Sequence, residues 1–422
     1  MDPTKNTRRD RNTLFATRII RLFCYGFLSV ILALYLSEIG LTDRNIGLLF
    51  TLTLAGDAAI TLWLTTTADR FGRKRTLLIG ALLMLGAGAV FLVTDNVVIL
   101  LAAAVIGVIS PSGNEIGPFL SVEQAALSQL LPGERRTRTF AWYNLAGSLA
   151  TAAGALCGGW LAQAVQARGH SPLESYRAIL AGYAAGGLVL AALFMTLSPA
   201  VEVGTSPGIT AAPGRFGLHR SRRVVLKLSA LFSLDAFAGG LIVQSMIAYW
   251  FHLRFGVDAG VIGSIFFGAN LLAGMSALLA ARLAARIGLI NTMVFTHVPS
   301  NILLILVPLM PSLPLAAAML LLRFSISQMD VPTRQSYTMA VVSPDERSAA
   351  AGVTSIARSV GAALSPTLTG IFLASASLLS LPFFLSGGLK LVYDGLLYRN
   401  FRALPPPEEK GARGGPAAAP PR

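Results

Sequence analysis

Ionisable residues interrupt otherwise apolar stretches of this chain: Asp57, Glu115, Glu123, Asp235, Arg323, Asp330 and Arg334. If those stretches cross a bilayer, each such group costs roughly 2.5–3.5 kcal/mol at the helix centre and needs a partner or a task. The chemistry open to them is proton uptake by a carboxylate, or binding of a charged solute by carboxylate and guanidinium groups. Asp57 sits in LTLAGDAAITLWL, where Thr53, Asp57 and Thr61 recur every four residues as one polar stripe. That stripe faces either a cavity or a hydrogen-bonding neighbour helix. Glu115 and Glu123 lie in SGNEIGPFLSVEQ, and Asp235 precedes Gly239-Gly240, where a helix can flex.

The segment LLRFSISQMDVPTRQSYTMAV is the richest. Arg323, Ser327, Asp330, Arg334 and Tyr337 follow the i, i+4, i+7, i+11, i+14 spacing of one helical face. Pro332 bends that face and frees a carbonyl. Two arginines flanking a carboxylate suit an anion-binding or charge-switching site, and equally a structural ion network. Arg323 and Asp330, about 10 Å apart along the helix, are expected to act as one unit lining a cavity, bridged by a polar or anionic solute. Arg334 has a second option, reaching headgroups at the membrane edge. His297 reads as a hydrogen-bonded packing residue, and Lys390 and Asp394, one turn apart, as a mutually neutralising pair.

The elements that must position these groups are membrane helices. Of 422 residues, 54% are hydrophobic and only 13% charged, with a mean hydropathy of +0.65. Soluble domains carry about 25% charged residues, so a soluble enzyme, a disordered chain and a nucleic-acid-binding domain are poorly supported. A bilayer core of roughly 30 Å needs about 20 apolar residues per helix. That ruler yields about twelve spans, near 16–39, 45–67, 76–94, 97–130, 139–165, 175–197, 225–252, 259–281, 290–310, 313–341, 348–375 and 377–398. The fourth and tenth are too long to be straight, and Ser110-Pro111-Ser112-Gly113 and Val331-Pro332 are expected to interrupt them. Cys24 and Cys157 are far apart within apolar runs, which leaves no disulfide framework and no Cys-based metal cluster.

The net charge of +14 is explained by where the cations sit. Arg70, Arg73, Lys74 and Arg75, then Arg135, Arg136 and Arg138, then Arg215, Arg220, Arg222, Arg223 and Lys227 cluster on one side of the expected spans. The other side carries only Arg44, Arg168, Arg177 and Arg254. Positive charge accumulates on the cytoplasmic side, so both termini are expected there. The charge is then topology rather than nucleic-acid binding. A polar connection at 198–224 divides a six-helix bundle at 1–197 from another at 225–403, and the Pro- and Gly-rich tail at 404–422 is expected to be disordered. Pro132-Gly133-Glu134-Arg135 recurs as Pro344-Asp345-Glu346-Arg347, and Asp69-Arg70-Phe71-Gly72 is echoed by Ala285-Arg286-Ile287-Gly288. Echoes in the same order indicate parallel repeats of six spans; by the same offset Glu115 corresponds to Ser327.

The string Asp69-Arg70-Phe71-Gly72-Arg73-Lys74-Arg75, between spans two and three, resembles the signature loop of the major facilitator superfamily. The glycine that opens that signature is replaced here by Thr65. The resemblance implies an all-α integral membrane protein, with twelve helices in two six-helix bundles and alternating access to a central site. It also implies a gating loop of Asp69, Arg70, Gly72 and Arg73. Asp69 would latch one state against the N-terminus of span eleven, a contact worth typically 0.3–1 kcal/mol, with Arg73 bracing it. The arginine usual in span four of drug–proton antiporters is absent from AVIGVISPSGNEIG, and the span-five pattern of exporters is not clean in LAGSLATAAGALCGGW. The subfamily stays open.

No GxxxxGK[ST] loop, zincin helix or GxSxG elbow occurs, so ATP-driven pumping and enzymatic activity have no motif behind them. The expected function is secondary transport of a small solute with proton-coupled export. Facilitated uptake, or a non-transporting sensor or scaffold on the same fold, is the alternative. The expected partners are the solute, protons and the lipid bilayer, with no nucleic acid, metal or cofactor, in a monomer of the plasma (inner) membrane.

Overall fold

The computed structural model describes residues 3–115, 117–131, 133–202, 218–343 and 346–404, without the side chains of 3–6, 69, 133–138 and 348. Expectations for the middle of the central connection and for the tail beyond Leu404 lie outside these residues. Among the described residues the regular elements are helices. The first span is α1 (Pro3–Ser29) with α2 (Leu32–Glu38), bent by 43°. Spans two and three are α3 (Asp43–Phe71) and α4 (Arg73–Val93). The fourth is split into α5 (Val97–Ile106) and α6 (Phe119–Leu130), followed by the unbroken α7 (Gly133–Ala167) and α8 (Pro172–Met195).

The second half repeats this plan. Its first span is again in two pieces, α9 (Arg222–Gly240) and α10 (Gln244–Phe255), breaking just after Gly239-Gly240. The continuous α11 (Ala259–Ile287) and α12 (Leu289–Leu306) follow, then the divided span of α13 (Leu313–Ser327) and α14 (Asp330–Ala340). The chain ends with α15 (Arg347–Ala363), α16 (Pro366–Leu373) and α17 (Leu381–Phe401). The repeat is visible at single residues. Gly72 alone separates α3 from α4 with φ 98°, and Gly288 alone separates α11 from α12 with φ 89°. A side chain at either reversal would be forced into a left-handed backbone region that favours glycine.

Among the described residues, eight helices or joined helices are long and apolar enough to cross a membrane, and nine if the bent first pair is one span. The expected spans outside that set have a local reason. The fourth and tenth are cut by breaks, and α17 carries Lys390 and Asp394. One break differs from expectation. The tenth span opens at Gln328-Met329, before Val331-Pro332 rather than at it. Pro332 lies in the first turn of α14, where its missing N–H is one that no helix partner would have received.

Close contacts join the bundles in the half of the fold away from the termini. Gly159 on α7 faces Gly263 on α11, and a Cβ on Gly159 would collide with the Ala259 carbonyl. Hydrogen bonds run there from Gln244 Nε2 and Ser245 Oγ to Ser29 (both 2.7 Å), from Tyr249 Oη to Asp43 (2.8 Å), and between Thr367 and Thr51 (2.8 Å). The Ser245 amide also donates to the Pro111 carbonyl at 2.9 Å, tying the unwound fourth span to α10.

Candidate functional site

Among the described residues, buried charges gather in one cluster in each half. In the first, α1 supplies Arg18 and Arg21, and the divided fourth span supplies Glu115 and Glu123. Arg21 donates Nη1 and Nη2 to the two oxygens of Glu123 at 2.8 and 2.7 Å, and Nε to Glu115 at 2.7 Å. Arg18 donates Nη1 to the other Glu115 oxygen at 2.7 Å and Nε to the Tyr143 carbonyl at 2.8 Å. Thr17 (2.9 Å) and the Tyr143 hydroxyl complete Glu123. The guanidinium of Arg18 lies over the Tyr143 ring and that of Arg21 over Phe119. Two cations thus meet two carboxylates in a fork geometry. Arg18 and Arg21 were legible in the sequence only as the end of a basic leader and the start of an apolar run. Their i, i+3 spacing inside LFATRIIRLF was the available signal.

The Thr53–Asp57–Thr61 stripe serves the same half. Asp57 accepts the Gly117 amide at 2.6 Å and the Thr61 hydroxyl at 3.3 Å, whereas Thr53 bonds back to its own helix at Leu49. Asp57 therefore holds the non-helical stretch between α5 and α6, where Gly113 and Gly117 have φ of 67° and 76°. Non-helical backbone at such depth must be covered by protein or line a cavity.

The second cluster gathers around Asp235 on α9. Its Oδ1 takes Lys390 at 2.6 Å, and its Oδ2 takes Arg334 at 3.2 Å and Arg358 at 3.3 Å. Arg334 also donates to Asp330 at 2.9 Å. Lys390 and Asp394 do not neutralise each other, as was expected from their spacing. Lys390 turns to α9, and Asp394 turns to α12, bonding His297 Nδ1 at 2.8 Å and Asn301 at 3.0 Å. Flanking helices offer each of them a nearer partner of complementary chemistry. His297 is hydrogen-bonded as read, and its Nε2 stands 3.8 Å from Asp235. Arg334 is buried in this network rather than reaching toward headgroups.

Arg323 stands apart. It is buried on α13 with its guanidinium 5.0 Å from the Phe324 ring centroid, and its Nε has no hydrogen-bond partner. Ser327 Oγ, one turn on, has none either. The helix break between Ser327 and Asp330 interrupts the expected continuous face, and Asp330 is bonded to Arg334.

At the signature loop the side chain of Asp69 lies outside the described residues, and Arg70 is exposed. Glu202, just after α8, accepts the amides of Arg73 (2.7 Å) and Lys74 (3.1 Å) at the N-terminus of α4, where a carboxylate is favoured. Arg73 Nη1 reaches Gln129 at 2.8 Å and the Val201 carbonyl at 3.3 Å. The loop is thereby fastened to α6 and to the start of the central connection.

Comparison with known proteins follows this geometry. The family model described as Major Facilitator Superfamily matches residues 14–366 and 255–421. An uncharacterized membrane protein of Saccharomyces cerevisiae is 30% identical, over 93% of this chain and 94% of its own length. Among solved structures, a D-xylose-proton symporter superposes with a TM-score of 0.72 at 15% identity, covering 92% of this chain and 97% of that one. A bacterial homolog of the human lysosomal transporter Spinster, inward-facing and occupied, gives 0.71 at 16%, covering 95% and 98%. These structures share the fold, and the family match spans most of the sequence. The chain therefore belongs to the Major Facilitator Superfamily, a family of membrane transporters rather than enzymes.

Proposed function

We propose that this protein is a secondary transporter that exports a small solute by alternating access, driven by protons. The bundles at 1–197 and 225–403, joined by the 198–224 connection, give alternating access to a central site in a monomer of the plasma (inner) membrane with both termini cytoplasmic. The observation that carries the reading is one buried charge cluster per bundle, each beside a broken helix, with inter-bundle hydrogen bonds in the half away from the termini. Buried ionisable groups at such depth are by default functional. The likeness of the Asp69–Arg75 loop to exporters supports the direction, and Asp69 is assigned the latch.

Asp57 is the residue we assign to the coupling proton. Protonating Glu115, Glu123, Asp235 or Asp330 would strand a buried arginine or lysine, a costly state. Asp57 has neutral partners, Gly117 and Thr61, so it can gain and lose its charge without stranding a cation. Its proton would also loosen the Gly117 amide and so the unwound fourth span, linking protonation to helix movement. Transport in proteoliposomes under an imposed pH gradient tests this. Wild type should accumulate a transported solute against its gradient, and Asp57→Asn should exchange solute without accumulating it. Uphill movement that survives in Asp57→Asn removes this assignment, and its absence in wild type makes the protein a facilitator.

A further inference from the structure

We propose that the solute is a small oxyanion, bearing a carboxylate or phosphate group, and that Arg323 with Ser327 on α13 receives it. This rests on the transporter reading and names its substrate class. Arg323 Nε and Ser327 Oγ are buried without hydrogen-bond partners. The residues are 9% and 6% exposed and four positions apart, on one face of the helix. A buried guanidinium nitrogen without an acceptor loses its hydration with nothing in return, a cost larger for charged groups than for neutral ones. Among the described residues, none supplies that acceptor.

The neighbouring carboxylates do not supply it. Asp330 binds Arg334, Asp235 binds Lys390, Arg334 and Arg358, and Asp394 binds His297 and Asn301. Across the molecule Glu115 and Glu123 are taken by Arg18 and Arg21, and Asp57 by Gly117 and Thr61. Among the described residues of this cluster the fixed cations Arg323, Arg334, Arg358 and Lys390 outnumber the carboxylates Asp235, Asp330 and Asp394, and Arg323 is the cation with no ion pair. A solute with one negative group would cancel it and give Nε and the Ser327 hydroxyl their acceptor. A guanidinium is also the side chain whose planar donors match a carboxylate or phosphate. A neutral solute would leave the charge buried and unpaired.

The test is thermal unfolding of the purified full chain in neutral detergent at fixed ionic strength. Acetate, succinate, citrate, benzoate and inorganic phosphate are titrated, with chloride, glucose and adenosine as controls. An oxyanion among them is expected to raise the unfolding temperature of wild type where the controls do not. Its half-saturating concentration should rise about tenfold to a hundredfold in Arg323→Gln, the loss of one charge-assisted hydrogen bond. It should rise less in Ser327→Ala and in Arg323→Lys, which keeps the charge without the fork. A parallel titration with phosphatidylglycerol in mixed micelles separates the sources. An Arg323-dependent shift seen only there supports the oxyanion site with a lipid headgroup as its occupant. No shift with any oxyanion or with the lipid, or shifts equal in wild type, Arg323→Lys and Ser327→Ala, overturns the proposal. Transport of glucose or adenosine without oxyanion binding leaves the transporter reading standing and removes this one. Arg323-dependent oxyanion binding with no transport of any tested solute removes the transporter reading and, with it, the oxyanion as transported solute, leaving only the anion site on α13.

Discussion

Arg21 is the residue whose loss should be felt most in the first bundle. Its side chain and that of Glu123 are fully buried and joined by two parallel hydrogen bonds of 2.8 and 2.7 Å, with a third from Nε to Glu115 at 2.7 Å. Arg21→Met removes one cation and leaves Glu115 and Glu123 to share Arg18. Breaking a buried pair by deleting one partner costs about 3–5 kcal/mol, because the other charge stays buried without compensation. That is about two to three and a half powers of ten in the unfolding equilibrium. The second change, Glu123→Gln, restores the balance: Arg18 still meets Glu115 at 2.7 Å, and the amide oxygen keeps one of the two hydroxyls, Thr17 or Tyr143, that bond opposite Glu123 oxygens, while its NH2 donates to the other hydroxyl oxygen. The double variant should therefore be more stable than Arg21→Met alone, with a coupling of about 0.5–3 kcal/mol. Equilibrium unfolding in mixed micelles of mild detergent and SDS, followed by tryptophan fluorescence, gives these differences. A cost for Arg21→Met below about 1 kcal/mol, against the 3–5 expected, would refute the reasoning. So would a double variant that loses the full sum of the two single changes.

Other expectations rest on separate contacts. Lys390→Met and Asp235→Asn, which are in direct contact, should couple more strongly than Lys390→Met and Asp394→Asn, which meet only through Asp235 and His297; a double-mutant cycle of unfolding free energies distinguishes them, and equal coupling in the two cycles rejects the partner assignment. Asp69→Asn should slow transport in proteoliposomes while leaving the amount of inserted protein unchanged; full transport by inserted variant rejects the latch. Glu346 anchors the end of the central connection through the amides of His219, Arg220 and Ser221. Burial raises its carboxyl, but the Ser221 side chain and these amides outweigh it and hold it at about 2, below the ordinary 4.5. A lowered carboxyl binds fewer protons in the folded state, so the anchor is complete above 4.5 and weakens as pH falls toward 2. Limited proteolysis of the connection should accordingly be unchanged between pH 7 and pH 5 in wild type and faster throughout in Glu346→Gln.

Much of this protein is local and therefore readable from residue order. A bilayer demands about 20 apolar residues per crossing, so the continuous spans, such as α3, α4, α8 and α11, follow from composition along the chain. The breaks announce themselves through Ser110-Pro111-Ser112-Gly113 and Gly239-Gly240. The turn at Gly72 and its echo at Gly288 are set by the one residue that tolerates φ near 90°. The depth of Asp57, Glu115, Glu123, Asp235, Arg323, Asp330 and Arg334 is equally a property of their flanks. Partnership is not local. Lys390 and Asp394 are spaced to meet on one helix, yet each turns to a different neighbour, because packing of α17 against α9 and α12 brings Asp235 and His297 within reach. Arg18 and Arg21 fall within the first expected span, 16–39, with no partner legible in their own stretch, until the fourth span places Glu115 and Glu123 against them. Arg323 looks like half of a pair with Asp330 until Arg334, one turn away, takes that carboxylate. A buried charge needs a counter-charge, and the helix that supplies it is chosen by how the bundle packs, which no stretch of sequence contains.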